Sequence, residues 1–193
     1  MALFRNHEHD ARGLHVLIRC PVDRDAAGMI AHAKRSTEEG EHYLIEWDEH
    51  VQTIEGQLER IRRYREGEYQ VAFVAIIEVD GEEQLIGEIS FRTLGRRRAN
   101  HRGMFGISVA AAYQGRGIGR AMIQHLLDWA CKHPTIEIVA LGCYAENTRA
   151  QKLYREIGFV EEGRAVDMFK TGPGEYHDDV IMTLRVKPRE VDR

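Results

Sequence analysis

Apolar residues recur along this chain with two different periods, and the two periods alternate from one segment to the next. Runs that are apolar throughout or at every second position predict seven strands, at 14–20, 69–79, 84–93, 104–111, 136–144, 159–170 and 175–186. Apolar residues spaced three and four apart predict four helices, at 23–38, 50–65, 117–132 and 147–157. The segment 39–48 follows neither period, and we expect it to be irregular.

The order of these elements is one strand, two helices, three strands, a helix, a strand, a helix and two strands. This order predicts an α/β (α+β) fold, with a mixed sheet covered by helices on both faces. The pair Asp80-Gly81 predicts a tight hairpin between the second and third strands.

Alternation along the third strand predicts that its side chains divide between two faces. One face is predicted to carry Leu85, Gly87, Ile89 and Phe91. The other is predicted to carry Ile86, Glu88, Ser90 and Arg92.

Length and composition favour a single compact domain at 12–188, with loose termini at 1–11 and 189–193. The polar segment His7–Asp10 has the composition of a metal site, but we expect a disordered tail there and no metal. The net charge of -4 gives no reason to expect nucleic acid. No apolar run approaches the roughly 20 residues of a membrane span, and three scattered cysteines suggest no disulfide framework. We therefore expect a cytoplasmic protein.

The most informative stretch is a glycine-rich turn between the fourth strand and the third helix. Gly115, Gly117 and Gly119 allow close approach of a ligand to the backbone, at the positive end of the helix that follows. Arg120 stands where a dinucleotide fingerprint has its third glycine, and no Walker lysine follows. The turn is interpreted as a pyrophosphate cradle, although a strand-to-helix connection without a ligand remains an alternative.

A second motif begins at Asn147, a favourable N-cap residue for the fourth helix. Tyr154 follows two helical turns later on the same face, and the residues between them on that face are Ala150 and Gln151. This small, polar stripe ending in a phenol can line a narrow ligand channel. Taken singly, Asn147 is a simple cap and Tyr154 a half-buried aromatic; together with the glycine turn they favour a ligand site.

These two motifs together resemble those of the GNAT superfamily of acyl-CoA-dependent N-acetyltransferases. Gln114-x-x-Gly117-x-Gly119 is similar to the pyrophosphate motif of that family, and Asn147-x-x-Ala150-x-x-Leu153-Tyr154-x-x-x-Gly158-Phe159 to its second cofactor motif. The resemblance covers about residues 70–186 and implies a mostly antiparallel seven-stranded sheet. The segments Gly174-Glu175-Tyr176-x-Asp178 and Arg97-Arg98-x-x-His101 are similar to those of a bacterial branch that acetylates amino acids, polyamines or peptide amines.

The resemblance implies that the chain binds acetyl-CoA as its cosubstrate. Backbone groups would hold the pantetheine along the fourth strand, its thioester ending where the fourth and fifth strands diverge, and Asn147 would bond the pantetheine arm. The residues implied for the pantetheine are Ile107, Ser108 and Val109. Those implied for the diphosphate are Gln114, Gly115, Arg116, Gly117, Ile118, Gly119 and Arg120, with the two arginines as additional phosphate contacts.

The resemblance also implies roles in proton transfer. Tyr154 suits the general acid that protonates the departing thiolate, because a phenol stays protonated at neutral pH. Many relatives carry a glutamate near the start of the fourth strand, where this chain has Met104 and Phe105. The general base is therefore left open between Glu88, His101 and a water chain.

Two further features are less decisive. Glu175, Asp178 and Asp179 could select a cationic substrate, although acidic residues beside a turn are usually just solvated. Cys143 is expected to be a core residue rather than a nucleophile.

The expected activity is transfer of an acetyl group from acetyl-CoA to a primary amine by direct attack in a ternary complex. The acceptor is expected to be a small molecule, amino acid, polyamine or peptide. A non-catalytic acyl-CoA-binding module and an enzyme that acetylates protein N-termini or lysines are the alternatives. A homodimer is compatible with the fold, and nothing in the sequence decides it.

Overall fold

The computed structural model describes residues 6–39 and 45–188. The predicted loose residues 1–5 and 189–193, and residues 40–44 of the predicted irregular segment, lie outside the described residues. Contacts divide the chain into two compact units, of which unit 1 comprises Met1–Phe91 and Ile107–Leu126, and unit 2 comprises Arg92–Gly106 and Leu127–Arg193. The single domain at 12–188 stays a prediction.

The described part of the chain contains eight strands and four α-helices. The strands are β1 (His7–Asp10), β2 (His15–Arg19), β3 (Gln70–Val79), β4 (Glu82–Thr93), β5 (Arg102–Val109), β6 (Ile138–Tyr144), β7 (Val160–Gly172) and β8 (Glu175–Arg185). The helices are α1 (Ala26–Glu39), α2 (Ile54–Glu66), α3 (Ile118–Lys132) and α4 (Thr148–Ile157). None of the helices among the described residues is long and apolar enough to cross a membrane.

Every predicted strand and helix is present, but some boundaries differ. The first helix is preceded by a 3₁₀ turn at Asp23–Asp25, and α2 begins only after its N-cap residue Thr53, whose side chain accepts a hydrogen bond from Gly56 N. The fourth predicted strand ends at Val109, because Ala111–Tyr113 forms a 3₁₀ turn.

The expectation of seven strands is one short, and the prediction of a disordered tail at His7–Asp10 is wrong. These residues form β1, which pairs antiparallel with β2 from His7↔Ile18 to Asp10↔His15. Backbone hydrogen bonds build this pair, so the largely exposed polar side chains of β1 gave no hydrophobic signal.

In unit 1, the neighbouring strands run in the order β1-β2-β3-β4. Helices α1 and α2 pack on one face of this sheet, where Met29 and Ile61 meet Val74 and Ile76 of β3 in a buried cluster. The two helices form where apolar residues recur at helical spacing, and they bury that stripe against the strands.

A buried ion pair fixes the entry into α1. Arg19 at the end of β2 donates to both carboxylate oxygens of Asp25, at 2.5 and 2.8 Å, and the Val22 N–H also donates to Asp25 at 2.7 Å. Arg19 is 7% exposed and Asp25 6% exposed. The pair therefore ties strand, turn and helix together within unit 1.

The strict alternation predicted for β4 breaks near its middle. Leu85 belongs to the cluster under α1 and α2, and a Cβ added to Gly28 of α1 would lie 3.4 Å from the Leu85 Cβ. A Cβ added to Gly87 would instead lie 3.1 Å from the Sδ of Met122 on α3. Leu85 and Gly87 therefore face opposite sides, and the prediction that they share a face is wrong.

The break has the effect of a β-bulge, which re-aims the side chains that follow it. It places Glu88 on the side of β4 that α2 covers, where Arg60 binds its carboxylate. The hydrophobic pattern could not reveal this, because every residue from Leu85 to Ile89 is buried, so both faces of the strand are covered here.

In unit 2, the strand order is β5-β6-β8-β7. The pair β5–β6 is parallel, whereas β6–β8 and β7–β8 are antiparallel. The sheet is therefore mixed and mostly antiparallel, as expected. Pairing between β5 and β6 ends at Met104↔Ala140 although both strands continue, which is the divergence that the resemblance implies.

The β7–β8 hairpin of unit 2 contains a second irregularity. Its register shifts between Ala165 and Phe169, and Asp167 in this interval has a φ of 54°. The Asp178 carboxylate accepts hydrogen bonds from the Asp167 N–H at 2.8 Å and from the Arg164 Nε at 2.6 Å. These contacts hold the bulge in place.

The Arg19–Asp25 pair gives a stability prediction. We expect Asp25→Asn to lower the free energy of unfolding by about 3–5 kcal/mol, because it leaves the buried Arg19 charge uncompensated. Chemical denaturation followed by circular dichroism measures this. The matched control is Glu83→Gln, since Glu83 also contacts Arg19, at 3.2 Å, but is 43% exposed; its expected cost is below about 1 kcal/mol. Equal losses in the two variants would contradict the assignment.

Candidate functional site

The glycine-rich turn of unit 1 has the backbone conformation that its sequence predicts. Gly115 and Gly117 have φ values of 76° and 88°, in the region that side chains disfavour. The turn is exposed from Gln114 to Gly117, and α3 begins directly afterwards at Ile118. Backbone N–H groups at such a helix start, with no Cβ beside them, suit the oxygens of a diphosphate.

The end of β5 leads into this turn. The Gln114 side chain donates to the Val109 carbonyl at 3.0 Å, and the Ala110 N–H donates to the Ile86 carbonyl at 2.9 Å. Residues Ile107, Ser108 and Val109 are half-buried. Two hydrogen bonds within unit 1 thus fix the C-terminal end of the segment implied for pantetheine binding.

Sequence reasoning missed a histidine that contacts this segment. His32 of α1 is 1% exposed, and its Nε2 lies 2.8 Å from the Ser108 Oγ. Burial lowers the pKa of His32 to about 4, so the ring is neutral at neutral pH. A single histidine in a helical pattern carries no signal that it meets a serine 76 positions away.

Glu88 is a buried ion-pair partner rather than an outward-facing strand residue. It is 9% exposed and accepts a hydrogen bond from the Arg60 guanidinium of α2. Burial raises the pKa of the Glu88 carboxyl, and the charge of Arg60 opposes that rise. The pairing could not be predicted, because it depends on the break in β4.

In unit 2, the second motif forms as predicted. The Asn147 side chain caps α4 by accepting a hydrogen bond from Ala150 N at 3.0 Å. Tyr154 is 7% exposed and packs edge-on against Phe105 and Phe159, with ring centroids 6.1 and 6.0 Å away. Burial raises the pKa of the Tyr154 phenol well above its usual range, so it remains protonated. None of the hydrogen bonds found among the described residues involves its hydroxyl.

His101, the other predicted base, lies just before β5. Its carbonyl accepts hydrogen bonds from the N–H groups of Glu137 and Ile138, at 2.8 and 3.0 Å. The predicted residues are thus divided between the units. Unit 1 holds the glycine turn, the β5 segment and Glu88; unit 2 holds Asn147, Tyr154 and His101.

Cys143 of β6 is a buried thiol. Its Sγ lies 3.9 Å from the Val180 carbonyl, and burial raises its pKa to about 11. A thiol in this state is a poor nucleophile at neutral pH. Among residues 6–39 and 45–188, no group of three or more His, Cys, Asp and Glu side chains is arranged to hold a metal ion.

Comparison with known proteins gives the family. The model of the acetyltransferase (GNAT) family matches residues 40–159, which is more than half of the chain. The chain therefore belongs to the GNAT acetyltransferase family.

Two curated relatives show how far sequence similarity extends. A spermidine N(1)-acetyltransferase from Vibrio cholerae is 34% identical over 101 residues, covering 51% of this chain and 56% of the relative. An L-amino acid N-acetyltransferase from Escherichia coli is 28% identical over 109 residues, covering 56% of this chain and 65% of the relative. The chain thus spans between half and two thirds of the length of these relatives.

Solved structures show the same fold. A GNAT-family acetyltransferase from Streptococcus pneumoniae has a TM-score of 0.81 at 22% identity, covering 89% of this chain and 99% of that one. A Salmonella typhimurium structure determined with its cofactor acetyl-CoA has a TM-score of 0.76 at 18% identity, covering 92% of this chain and 98% of that one.

Alkylation should distinguish Cys143 from Cys131. We expect iodoacetamide at pH 7.5 to modify the exposed Cys131 within minutes and Cys143 at least about tenfold more slowly, because burial keeps Cys143 a thiol. Peptide mass spectrometry measures both rates. Unfolding in urea is the control, in which the two rates should converge. Equally fast labelling in the native protein would show that Cys143 is accessible and reactive.

Proposed function

We propose that the protein is an acetyl-CoA-dependent N-acetyltransferase that acetylates a primary amine by direct attack in a ternary complex. The observation that carries the proposal is the exposed turn with Gly115 and Gly117 at positive φ before α3, in a chain of the GNAT family. Acetyl-CoA, when bound, supplies an activated acetyl group and a thiolate leaving group.

The backbone from Gln114 to Gly119 holds the diphosphate, and the Ile118 side chain in this segment is buried, at 1% exposed. Arg116 and Arg120 add positive charge next to the phosphates. Main-chain groups of Ile107, Ser108 and Val109 bind the pantetheine, and Asn147 binds its arm. The Asn147 side chain already accepts from Ala150 N, which leaves its amide N–H₂ as the donor.

Tyr154 is the general acid. Its raised pKa keeps the proton on the phenol across the whole physiological range, and no described residue competes for that proton. Donation to the departing sulfur is worth about 10²- to 10⁴-fold in rate.

The base must take a proton from the acceptor ammonium. Glu88 remains a candidate because its buried carboxyl has a raised pKa, which brings its proton affinity closer to that of an amine. His101 and a chain of water molecules remain candidates on the resemblance alone.

The acceptor is proposed to be a small-molecule, amino-acid, polyamine or peptide amine. Support comes from relatives that are a spermidine, an L-amino acid and a ribosomal-protein alanine N-acetyltransferase, the last 34% identical over 83 residues. We also propose a cytoplasmic location, since all three cysteines are free, and a homodimer, which sedimentation would test.

An amine panel tests the activity. Free thiol released from acetyl-CoA is followed with L-amino acids, spermidine, an aminoglycoside and peptides with a free N-terminus or a lysine. The proposal expects turnover with at least one class. Tight acetyl-CoA binding without turnover would favour a non-catalytic acyl-CoA-binding module, and turnover of peptides alone would favour a protein acetyltransferase.

Replacing the phenol should separate chemistry from binding. We expect Tyr154→Phe to lower kcat by about 10²-fold or more while KM for acetyl-CoA changes by less than about threefold, because only the transferable proton is lost. Steady-state kinetics with the best amine of the panel measures both constants. Tyr64→Phe, on α2, is the matched control and should leave both near wild type. An unchanged kcat in Tyr154→Phe would remove Tyr154 from the mechanism.

The glycine turn can be tested by binding alone. We expect Gly117→Ala to raise the Kd of coenzyme A about tenfold, since an alanine at a φ of 88° costs about 1–2 kcal/mol and shifts the N–H groups. Isothermal titration calorimetry gives the Kd. Gly13→Ala carries the same type of strain, at a φ of 83° in the β1–β2 turn, and should leave the Kd unchanged. The same Kd in both variants would argue against a cradle at Gly117.

A further inference from the structure

Asp179 of β8 is a buried carboxylate with an unused oxygen. It is 8% exposed, and its Oδ1 is inaccessible and has no hydrogen-bond partner among the described residues. Leaving a buried charged oxygen without a partner is costly, so such an atom points to a ligand group or a role in chemistry.

The carboxylate occupies the space where a side chain of residue 142 would be. A Cβ added to Gly142 of β6 would lie 2.6 Å from the Asp179 Oδ2 and 2.7 Å from its Oδ1. Asp179 is the cross-strand partner of Tyr144, two residues along β6 and on the same face as Gly142. The glycine therefore gives the carboxylate its position against the β6 backbone.

The phenol of Tyr154 lies on the side of β6 opposite to Asp179. Successive side chains of a strand alternate, so Cys143 points away from the side that carries Gly142 and Asp179. The Cys143 thiol is near enough to Tyr154 to contribute to the raised pKa of the phenol. Within unit 2, a carboxylate and a proton-donating phenol thus flank β6 from its two sides.

No cation in the described part of the chain neutralises this carboxylate. Of the ion pairs found among the described residues, none includes Asp179, whereas Arg164 pairs with the neighbouring Asp178 at 2.6 Å. The titratable groups around Asp179 are Cys143 and Tyr144 on β6 and His177 on β8, and His177 contacts Glu146 at 3.5 Å. On the β7 side its partner is Ala165.

We propose that Asp179 receives the ammonium group of the acceptor amine and takes its proton before the amine attacks. The proposal rests on the acetyltransferase function proposed above and names its acceptor site: the ligand is a primary ammonium group. Glu88 is less suited, because Arg60 already occupies its carboxylate, whereas the Asp179 Oδ1 has no hydrogen-bond partner among the described residues.

The proton balance of the step is complete. The acceptor ammonium gives its first proton to Asp179, which passes it to solvent, and the amine nitrogen then bonds to the thioester carbon. The C–S bond breaks, and the sulfur takes a proton from Tyr154. The second proton of the acylated nitrogen restores the phenol. The products are an N-acetyl amide, coenzyme A thiol and one proton.

Burial raises the pKa of the Asp179 carboxyl, and the Cys143 N–H opposes that rise. Because the base works deprotonated, kcat/KM should fall as the pH falls through this raised pKa. The acidic limb of the pH profile of kcat/KM therefore reports the protonation of Asp179.

The experiment compares pH profiles of kcat/KM for the amine with the highest turnover in the panel. We expect Asp179→Asn to lower kcat/KM by about 10²-fold or more at pH 7.5 and to abolish the acidic limb, with the Kd of coenzyme A within twofold of wild type. Asp179→Glu keeps the charge and should retain an acidic limb, shifted in pH. This variant therefore tests the proposal even if Asp179→Asn fails to fold.

Asp167→Asn is the matched control, since it removes the same charge from an exposed position on the neighbouring strand β7; it should keep the limb and a near wild-type rate. Gly142→Ala should lower kcat without removing a charge, because its Cβ displaces the carboxylate. The proposal is overturned if Asp179→Asn keeps the acidic limb, or if Glu88→Gln or His177→Gln alone removes it. A wild-type protein that turns over no amine would instead refute the proposed function itself.

Discussion

Glycine residues set the positions of several polar groups in this protein, because a backbone without a Cβ lets neighbouring groups come close. At Gly142 the missing Cβ makes room for a carboxylate, and at Gly87 it lets the Ser108 carbonyl and the Met122 sulfur approach within 3.1 Å of where a methyl would be. At Gly117 it permits the left-handed backbone that opens α3. Packed interiors leave no spare volume for such adjustments elsewhere, so each of these contacts is available only to glycine.

Most of the fold could be predicted from local pattern. The amphipathic helices and the alternating strands can be recognised from short stretches of sequence, as can the Asp80-Gly81 turn and the Asn147 cap. The features that could not be predicted have no local cause. Strand β1 is held by main-chain hydrogen bonds, and its side chains are polar. The break in β4 falls where both faces of the strand are buried, so the alternation of apolar and polar residues does not mark the change.

The same distinction applies to the candidate site. The glycine turn and the Asn147–Tyr154 stripe are each a single segment, so their spacing alone gives their geometry. The pairs Glu88–Arg60 and His32–Ser108 join residues 28 and 76 positions apart, and Asp179 reaches Gly142 only through the register of β6 and β8. Such pairs follow from how segments align in three dimensions. Residue types alone would assign the acidic residues near the last strand to solvent, whereas Asp178 is engaged at the bulge and Asp179 is buried.

The bulge at Asp167 has a consequence for how this protein behaves at high concentration. Strand β7 ends the order of the described sheet, and a straight edge strand offers a free row of hydrogen-bonding groups to a second chain. Asp178 of β8 binds the Asp167 N–H across the β7–β8 pair, and the local kink at this bulge spoils the regular spacing of the outer row. The exposed Val166 and Met168 are therefore presented on an edge that resists strand addition, which protects the protein against edge-to-edge aggregation.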